Sequence, residues 1–122
     1  MSEVQKMLTT AENQTEVSFP WGMLRWLMND KLSAGTEQTL GLCRIEVGQK
    51  NPFHYHPNCE EVLYILSGKG THSFDGDKVE LRPGMTLRVP QGVKHDLVNT
   101  GDEPIVCIIA FSSGDRQTVF LE

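Results

Sequence analysis

Short apolar runs alternate with turn residues along most of the chain, from residue 39 onward. The runs are rich in valine, isoleucine, leucine and phenylalanine, and glycine or proline separates them. Such runs are typical of strands and turns. The pattern predicts about seven to nine short strands with little helix, and therefore an all-β sandwich or barrel. The predicted strands are residues 40–47, 62–66, 71–74, 78–81, 85–89, 95–99, 105–111 and 117–121.

The first part of the chain has a less regular pattern. Residues 21–30, WGMLRWLMND, fit a strand and a helical turn about equally well, and their periodicity does not choose between the two. The more polar residues 1–20 are interpreted as an N-terminal arm at a subunit interface, and residues 21–122 as a single β-barrel domain.

Length and composition restrict the class of protein. The 122 residues are 39% apolar and 22% charged, which suits one globular domain with its own core. The formal net charge of −5 argues against a nucleic-acid partner, and no apolar stretch approaches the roughly 18 residues that span a bilayer. The N-terminus lacks the features of a secretory signal, and the three cysteines show no CxxC spacing. We therefore expect reduced cysteines and a cytoplasmic location.

Two stretches hold the residues that suggest chemistry. In the first, residues 48–68, His54 and His56 are separated by one residue and are followed by Glu60 and Glu61. Side chains two apart on a strand point to the same side, so both imidazoles can reach one point. In the second, residues 84–99, His95 follows a Pro-x-Gly turn. Three imidazoles and one carboxylate are a suitable ligand set for a divalent transition metal.

These stretches, GQKNPFHYHPNCEEVLYILSG and GMTLRVPQGVKHDLVN, resemble the two signature motifs of the cupin family. The resemblance implies a small jelly-roll β-barrel, assembled as a homodimer, with a metal in its mouth. The ligands it implies are His54, His56, Glu61 and His95. Glu61 is preferred to Glu60 because the family spacing to Gly68 fits Glu61. Strand alternation also places Glu61 on the inward face.

The family's habits favour iron or manganese, with nickel, cobalt and zinc as alternatives. The implied function is a metal-dependent enzyme acting on a small organic substrate, which chelates the metal and carries a negative charge if an arginine enters the barrel. Dioxygenase-type oxidation is the first choice. A metal-dependent isomerase, decarboxylase or lyase is one alternative, and a binding module for a small molecule or sugar is the other.

Four further side chains are candidate catalytic residues. Arg25 and Arg88 offer guanidinium groups that bind carboxylates, although each is equally well explained as a surface arginine. Glu60 and Asp96 are candidate proton carriers. Among the other residues near the motifs, His72 matches no motif position and is expected to face solvent.

Overall fold

The computed structural model describes residues 2–122. Within them it has eleven strands and two short 3-10 helices, at Gln5–Met7 and Ala11–Asn13. The strands are β1 (Glu16–Phe19), β2 (Gly22–Met28), β3 (Thr39–Ile45), β4 (His54–Tyr55), β5 (Glu61–Ser67), β6 (Gly70–Phe74), β7 (Asp77–Leu81), β8 (Thr86–Val89), β9 (His95–Asn99), β10 (Ile105–Phe111) and β11 (Val119–Phe120).

The strands form two antiparallel sheets. The six-stranded sheet has the order β1-β2-β3-β10-β5-β8, and the five-stranded sheet has the order β11-β4-β9-β6-β7. Neighbours in space are mostly distant in sequence, as in a jelly roll. The sheets face each other without joining into one closed ring of hydrogen bonds. The prediction of an all-β jelly roll is confirmed.

The core follows from strict alternation along the central strands. In β5, Glu61, Leu63 and Ile65 are buried, whereas Val62, Tyr64 and Leu66 are exposed on the outer face. The inward residues of the six-stranded sheet meet those of the five-stranded sheet, where Leu97 and Leu81 are buried. The same two-residue period that buries the leucines of β5 turns Glu61 toward the interior.

Two glycines show why turns stand where the sequence predicts them. The hairpin between β6 and β7 turns at Asp75 and Gly76, whose φ angles are 48° and 87°. An Asp-Gly pair adopts this left-handed backbone at low cost. Gly68 ends β5 with φ 79°, and a Cβ there would stand 2.5 Å from the Pro104 carbonyl oxygen. That close approach leaves room for no other residue.

The ambiguous segment near the start is a strand, β2, which pairs with β3. Strand β1, which belongs to the part interpreted as an arm, pairs with β2 and extends the same sheet. The short strands β1 and β4 escaped prediction because neither has an apolar run. All three cysteines are free and buried, and among residues 2–122 no helix has the length and apolar character needed to cross a membrane.

Candidate metal centre

Both sheets contribute to one cluster of buried side chains. His54 on β4 lies directly across from His95 on β9, and His56 follows at the end of β4. Glu61 is the first residue of β5 and comes from the opposite sheet. One donor atom from each of the four lies within 4.8 Å of every other. The structure therefore brings together the four residues that the sequence predicts as metal ligands.

Backbone carbonyls hold the three imidazoles in one tautomer. The Nδ1 atoms of His54, His56 and His95 lie 2.6, 3.0 and 2.8 Å from the carbonyl oxygens of Pro52, Gln117 and Val93. A carbonyl only accepts, so each Nδ1 carries the proton and donates it. Each Nε2 is then the nitrogen that faces the centre and is free to bind a metal. Burial alone lowers the pKa of His95, but the Glu61 carboxylate outweighs burial and raises it, so a metal would displace the Nε2 proton of His95 on binding.

Glu61 supplies the negative charge of the cluster. One oxygen, Oε1, lies 3.2 Å from Nε2 of both His56 and His95. Burial alone raises the pKa of this carboxyl, but the two imidazoles more than offset burial and hold the pKa well below its usual range. Glu61 is thus a carboxylate at neutral pH, as a metal ligand must be.

The cluster fits a divalent transition metal. The Nε2 atom of His56 is buried and has no hydrogen-bond partner, because its contact with Glu61 has poor geometry. A buried nitrogen with a free lone pair is costly unless something binds it. Burial also lowers the pKa of His54 to about 3, which keeps that imidazole neutral. Nitrogen and carboxylate donors in this number suit iron, manganese, nickel, cobalt or zinc.

The centre opens into a cavity of about 330 Å³ between the sheets. The walls are mostly aromatic and aliphatic, and they include His54, His56 and Glu61. The apolar residues on the walls are Phe19, Trp21, Leu24, Trp26, Ile109, Phe111 and Phe120. A volume of this size suits a small organic molecule.

The cavity is also lined by a cationic side chain, Arg116, that the sequence did not predict. Arg116 places its guanidinium carbon 4.4 Å from the centre of the Trp26 ring and 5.2 Å from that of Phe111. Its Nη1 donates a hydrogen bond to Thr118, whose hydroxyl lies 3.2 Å from Nδ1 of His56. Arg116 therefore lies close to the metal ligands, although it comes from an irregular segment near the C-terminus.

None of the four candidate catalytic residues lines this cavity. Arg25 alternates with the cavity residues Leu24 and Trp26, so it points outward, where it pairs with Glu16 at 3.5 Å. Arg88 and Glu60 form an ion pair at 2.7 Å on the outside.

Asp96 follows His95 on β9 and therefore points to the other side of that strand. It is buried, and its carboxylate lies 3.6 Å from the Lys50 ammonium. None of the four candidate catalytic side chains is therefore placed to touch a molecule in the cavity.

The position of His72 differs from the prediction. It was predicted to face solvent, yet it is 1% exposed and stacks on the His95 ring, with 5.5 Å between ring centres and 15° between ring planes. Strand β6 lies between β7 and β9, so its inward side chains are covered by the opposite sheet. Burial lowers the pKa of His72 to about 4, so the ring is neutral and packs behind a ligand histidine.

Comparison with known proteins agrees with this geometry. Residues 41–111 match the family model described as a cupin domain. An uncharacterised protein of Methanocaldococcus jannaschii is 32% identical over 68% of this chain and 66% of its own length. Polyketide synthase CurC of Streptomyces cyaneus is 33% identical over 67% of this chain and 53% of its own. The chain thus spans between about half and two thirds of these curated relatives.

Solved structures give the same result. A structure that concerns the Mn(II) centres of Bacillus subtilis oxalate decarboxylase matches 91% of this chain with a TM-score of 0.82 and 25% identity. The match covers 31% of that longer chain. The family match covers more than half of the present chain. It includes all four proposed ligands, which are His54, His56 and Glu61 from the first motif and His95 from the second. The chain belongs to the cupin family.

Proposed function

We propose that this chain is a metal-dependent enzyme that acts on a small organic substrate in the cavity beside the His54, His56, Glu61 and His95 centre. The observation that carries the proposal is the cluster itself, in which four buried donor atoms converge and three of the four residues line an apolar cavity. Pure packing does not require three imidazoles around a buried carboxylate, because apolar residues of similar volume are the cheaper solution.

Iron and manganese are the metals we propose first, ahead of nickel, cobalt and zinc. Three nitrogens and one carboxylate leave open positions on a six-coordinate ion, whereas zinc with four protein ligands is nearly closed. The likeness to a manganese-containing oxalate decarboxylase supports the same choice. When bound, such an ion supplies Lewis-acid polarisation of substrate oxygens and, for iron or manganese, one-electron chemistry with dioxygen.

The protein's own residues hold and shield this centre. The carbonyls of Pro52, Gln117 and Val93 fix the three imidazoles, so the donors are arranged before a metal arrives. The aromatic walls shield part of a bound substrate from water, which strengthens the electrostatic contacts on that side. Among residues 2–122 the walls contain two carboxylates, Glu61 and Glu122, and Glu122 is engaged by Lys50 at 2.9 Å.

This wall composition bears on the type of reaction. No free carboxylate of the described chain stands in the cavity to carry protons, which favours reactions that need no protein base. Dioxygenase-type oxidation remains our first proposal on that ground. Decarboxylation is the second candidate, because it is the activity named for the solved structures that this chain resembles. The remaining alternatives are an isomerase or lyase and a non-catalytic binding module.

The test begins with the metal. Untagged protein, produced with added iron or manganese, should contain about one ion per chain by elemental analysis, and His95→Ala should contain almost none. Arg88→Gln, on the outside, is the control and should keep its metal. The protein should then be assayed with small aromatic carboxylates for dioxygen uptake and for carbon dioxide release. Full metal content in His95→Ala would refute the proposed centre.

We also propose that the chain forms a homodimer through the outer face of the six-stranded sheet. Rows of apolar side chains cross this face, because Ile108 lies between Leu42 and Tyr64, and Ala110 lies between Leu40 and Val62. Leu40, Val62 and Tyr64 are 38%, 38% and 40% exposed. An apolar face of this kind is typical of an interaction surface. The cytoplasmic location predicted from the cysteines stays a prediction.

Light scattering after size exclusion tests the dimer. Tyr64→Asp should shift a dimer toward monomer, because it places a charge in the centre of the face. Lys78→Asp, on the hairpin of the other sheet, should leave the molar mass unchanged. A wild-type protein that is monomeric at high concentration would refute the proposal.

A further inference from the structure

We infer that Arg116 is the group that recognises the substrate, and that the substrate is a carboxylate with an apolar, aromatic-sized body. The inference rests on the proposed function only in taking the cavity as the substrate site. It names the chemical class of ligand and the residue that selects it. The guanidinium would bind the carboxylate beside the metal ligands, and the rest of the molecule would lie against the apolar walls of the same cavity.

Arg116 differs from other arginines of the chain in its electrostatic surroundings. Arg25, Arg44 and Arg88 each form an ion pair, at 3.5, 2.8 and 2.7 Å, and Arg82 is exposed to solvent. Within residues 2–122, by contrast, no carboxylate lies within ion-pair distance of the Arg116 guanidinium, although this side chain lines an apolar cavity. A cation in such surroundings is costly without a partner. The cavity therefore suits a ligand that brings its own negative charge.

The guanidinium is also held in place. Trp26 and Phe111 contact it through their ring faces, at 4.4 and 5.2 Å, and Thr118 accepts a hydrogen bond from Nη1. An arginine has five N–H donors in a rigid plane, and a single Thr118 hydroxyl occupies only one of them. The remaining donors suit a carboxylate, which arginine binds through two parallel hydrogen bonds. Because the side chain is already ordered, little further entropy is lost on binding.

Arg116 lies beside the metal ligands. Phe111 contacts both groups, since its ring centre lies 4.9 Å from that of His56 and 5.2 Å from the Arg116 guanidinium carbon. Thr118 also links them, because it accepts a hydrogen bond from Nη1 of Arg116 and its hydroxyl lies 3.2 Å from Nδ1 of His56. A carboxylate bound to Arg116 is therefore next to the metal centre. Most of the remaining cavity wall is apolar, so the body of the molecule should be apolar as well.

Trp21 and Trp26 give a direct way to test the inference. They are the only two tryptophans of the chain, and both line the cavity, so intrinsic fluorescence responds when a ligand enters it. The probes are benzoate, phenylacetate and 3-phenylpropionate, each compared with its neutral amide, which has nearly the same shape. Titrations are made on protein treated with a chelator, so that a metal does not contribute to binding.

We expect the best carboxylate to bind about 10- to 100-fold more tightly than its amide, as for a hydrogen-bonded charged group. Arg116→Met keeps the aliphatic stem against Trp26 but removes the charge, and it should abolish this preference. Arg116→Lys should keep part of it, and Arg88→Gln, which lies outside the cavity, should keep all of it. A purely structural Arg116 would alter stability in these variants without changing the ratio of carboxylate to amide affinity.

Equal affinity for carboxylate and amide in wild-type protein, or an unchanged preference in Arg116→Met, would overturn the inference. Absence of binding by all six probes would overturn it as well. If Arg116→Met proves unfolded by circular dichroism, the wild-type comparison and Arg116→Lys decide. The proposed function fails separately, because a protein that binds no metal can still prefer carboxylates, and a protein that binds metal can lack this preference.

Discussion

Two neighbouring parts of the site are built in different ways: the strand end, which holds the metal ligands, and the loop end, which holds Arg116. At the strand end, His54, Glu61 and His95 stand on regular strands and His56 directly follows one. At the loop end, Arg116 stands in the irregular segment between β10 and β11. The strands are held by continuous ladders of hydrogen bonds, whereas the segment is held by scattered side-chain contacts such as that from Asn58 to the Asp115 carbonyl, at 2.8 Å.

The difference indicates a division of labour. Metal ligation requires donor atoms at closely defined distances, and paired strands provide that precision. Selection of a substrate requires shape and charge that suit one molecule, and a loop changes both without disturbing the sheets. The strand end therefore determines which kind of chemistry is available, and the loop end determines which molecule meets it. Four changes should separate the two ends, and they follow in order of expected effect.

The largest effect should come from removing the charge of the strand end. Glu61→Gln keeps the shape of the side chain but replaces the only carboxylate of the ligand set with a neutral amide. We expect metal affinity to fall by at least about 100-fold, because loss of a ligand exceeds the effect of losing a residue that merely orients one. Competition with a chromogenic chelator measures this affinity.

Glu60→Gln is the matched control for this prediction. Glu60 is the adjacent residue and undergoes the same chemical change, but its carboxylate pairs with Arg88 on the outside. Its metal affinity should stay within a factor of about two of wild type. Equal losses in the two variants would show that the strand alternation does not select the ligand.

The second largest effect should be the loss of folding stability in acid, to which His72 beside the strand end contributes. Burial lowers the pKa of His72 to about 4, whereas an unfolded histidine titrates near 6.5. The unfolded state therefore takes up this proton first, and stability present above pH 6.5 is lost as the pH falls from about 6.5 toward 4. His72 alone accounts for on the order of 3 kcal/mol of that loss. The charge of Arg116 does not change over this range.

Urea unfolding of chelator-treated protein at pH 7 and pH 4.5 measures the loss. His72→Leu fills the same space without a titrating group, so its free energy of unfolding should fall less steeply with acid than that of wild type. His54, whose pKa burial also lowers, will keep part of the slope in the variant. Parallel curves for the two proteins would contradict a neutral, buried His72.

A smaller effect should come from crowding the wall next to Arg116. A Cβ added at Gly41 would stand 2.7 Å from Cε3 of Trp26. Gly41→Ala should therefore displace this ring, reduce the free energy of unfolding by about 1–3 kcal/mol and shift the tryptophan emission. Metal content should stay unchanged. Thermal denaturation and fluorescence measure both effects.

Gly101→Ala provides the comparison, because the nearest atom to a Cβ there is a Lys69 side-chain carbon at 3.1 Å, which can move aside. It should cost less stability and leave the emission unchanged. If Gly41→Ala and Gly101→Ala lose the same stability and both keep the wild-type emission, then the Trp26 ring can move away from Gly41 at little cost.

The smallest effect should come from the arginine outside the cavity. Arg88 and Glu60 form an exposed ion pair, and such pairs contribute between zero and about 1 kcal/mol. Arg88→Gln should change the free energy of unfolding by no more than this and should leave metal content and tryptophan fluorescence unaltered. Urea unfolding checks the first point and elemental analysis the second. A loss of metal would place Arg88 in contact with the site after all.

The predictability of the two ends from sequence differs for a physical reason. Histidines two apart, a glutamate at an inward strand position and a histidine after a Pro-x-Gly turn are local patterns, and strand geometry converts them into a common point. The turn even contacts the first motif directly, since the Gly92 amide donates to the His56 carbonyl at 2.9 Å. Ligands and fold were therefore predictable together.

Arg116 was not predictable in this way. Its segment has no periodicity, and its placement depends on contacts with residues far away in sequence, such as the hydrogen bond between the Gln117 amide and Asn58. The prediction that His72 faces solvent was wrong for another reason. Alternation places it on the inward face with Gly70, but whether that face is covered depends on the strand order of the sheet, which the sequence of one hairpin does not contain.

Residues 112–122 contribute Arg116, Thr118, Phe120 and Glu122 to the cavity but none of the four metal donors. Because Gln117 holds His56 through its backbone carbonyl, side chains of this stretch can change and alter which molecule is accepted while the centre stays intact, provided that the backbone keeps its path. In evolutionary terms, specificity and chemistry are free to diverge separately in this molecule. A lineage that keeps the strands and the backbone at Gln117 can acquire a new substrate by changing a few side chains of one short segment.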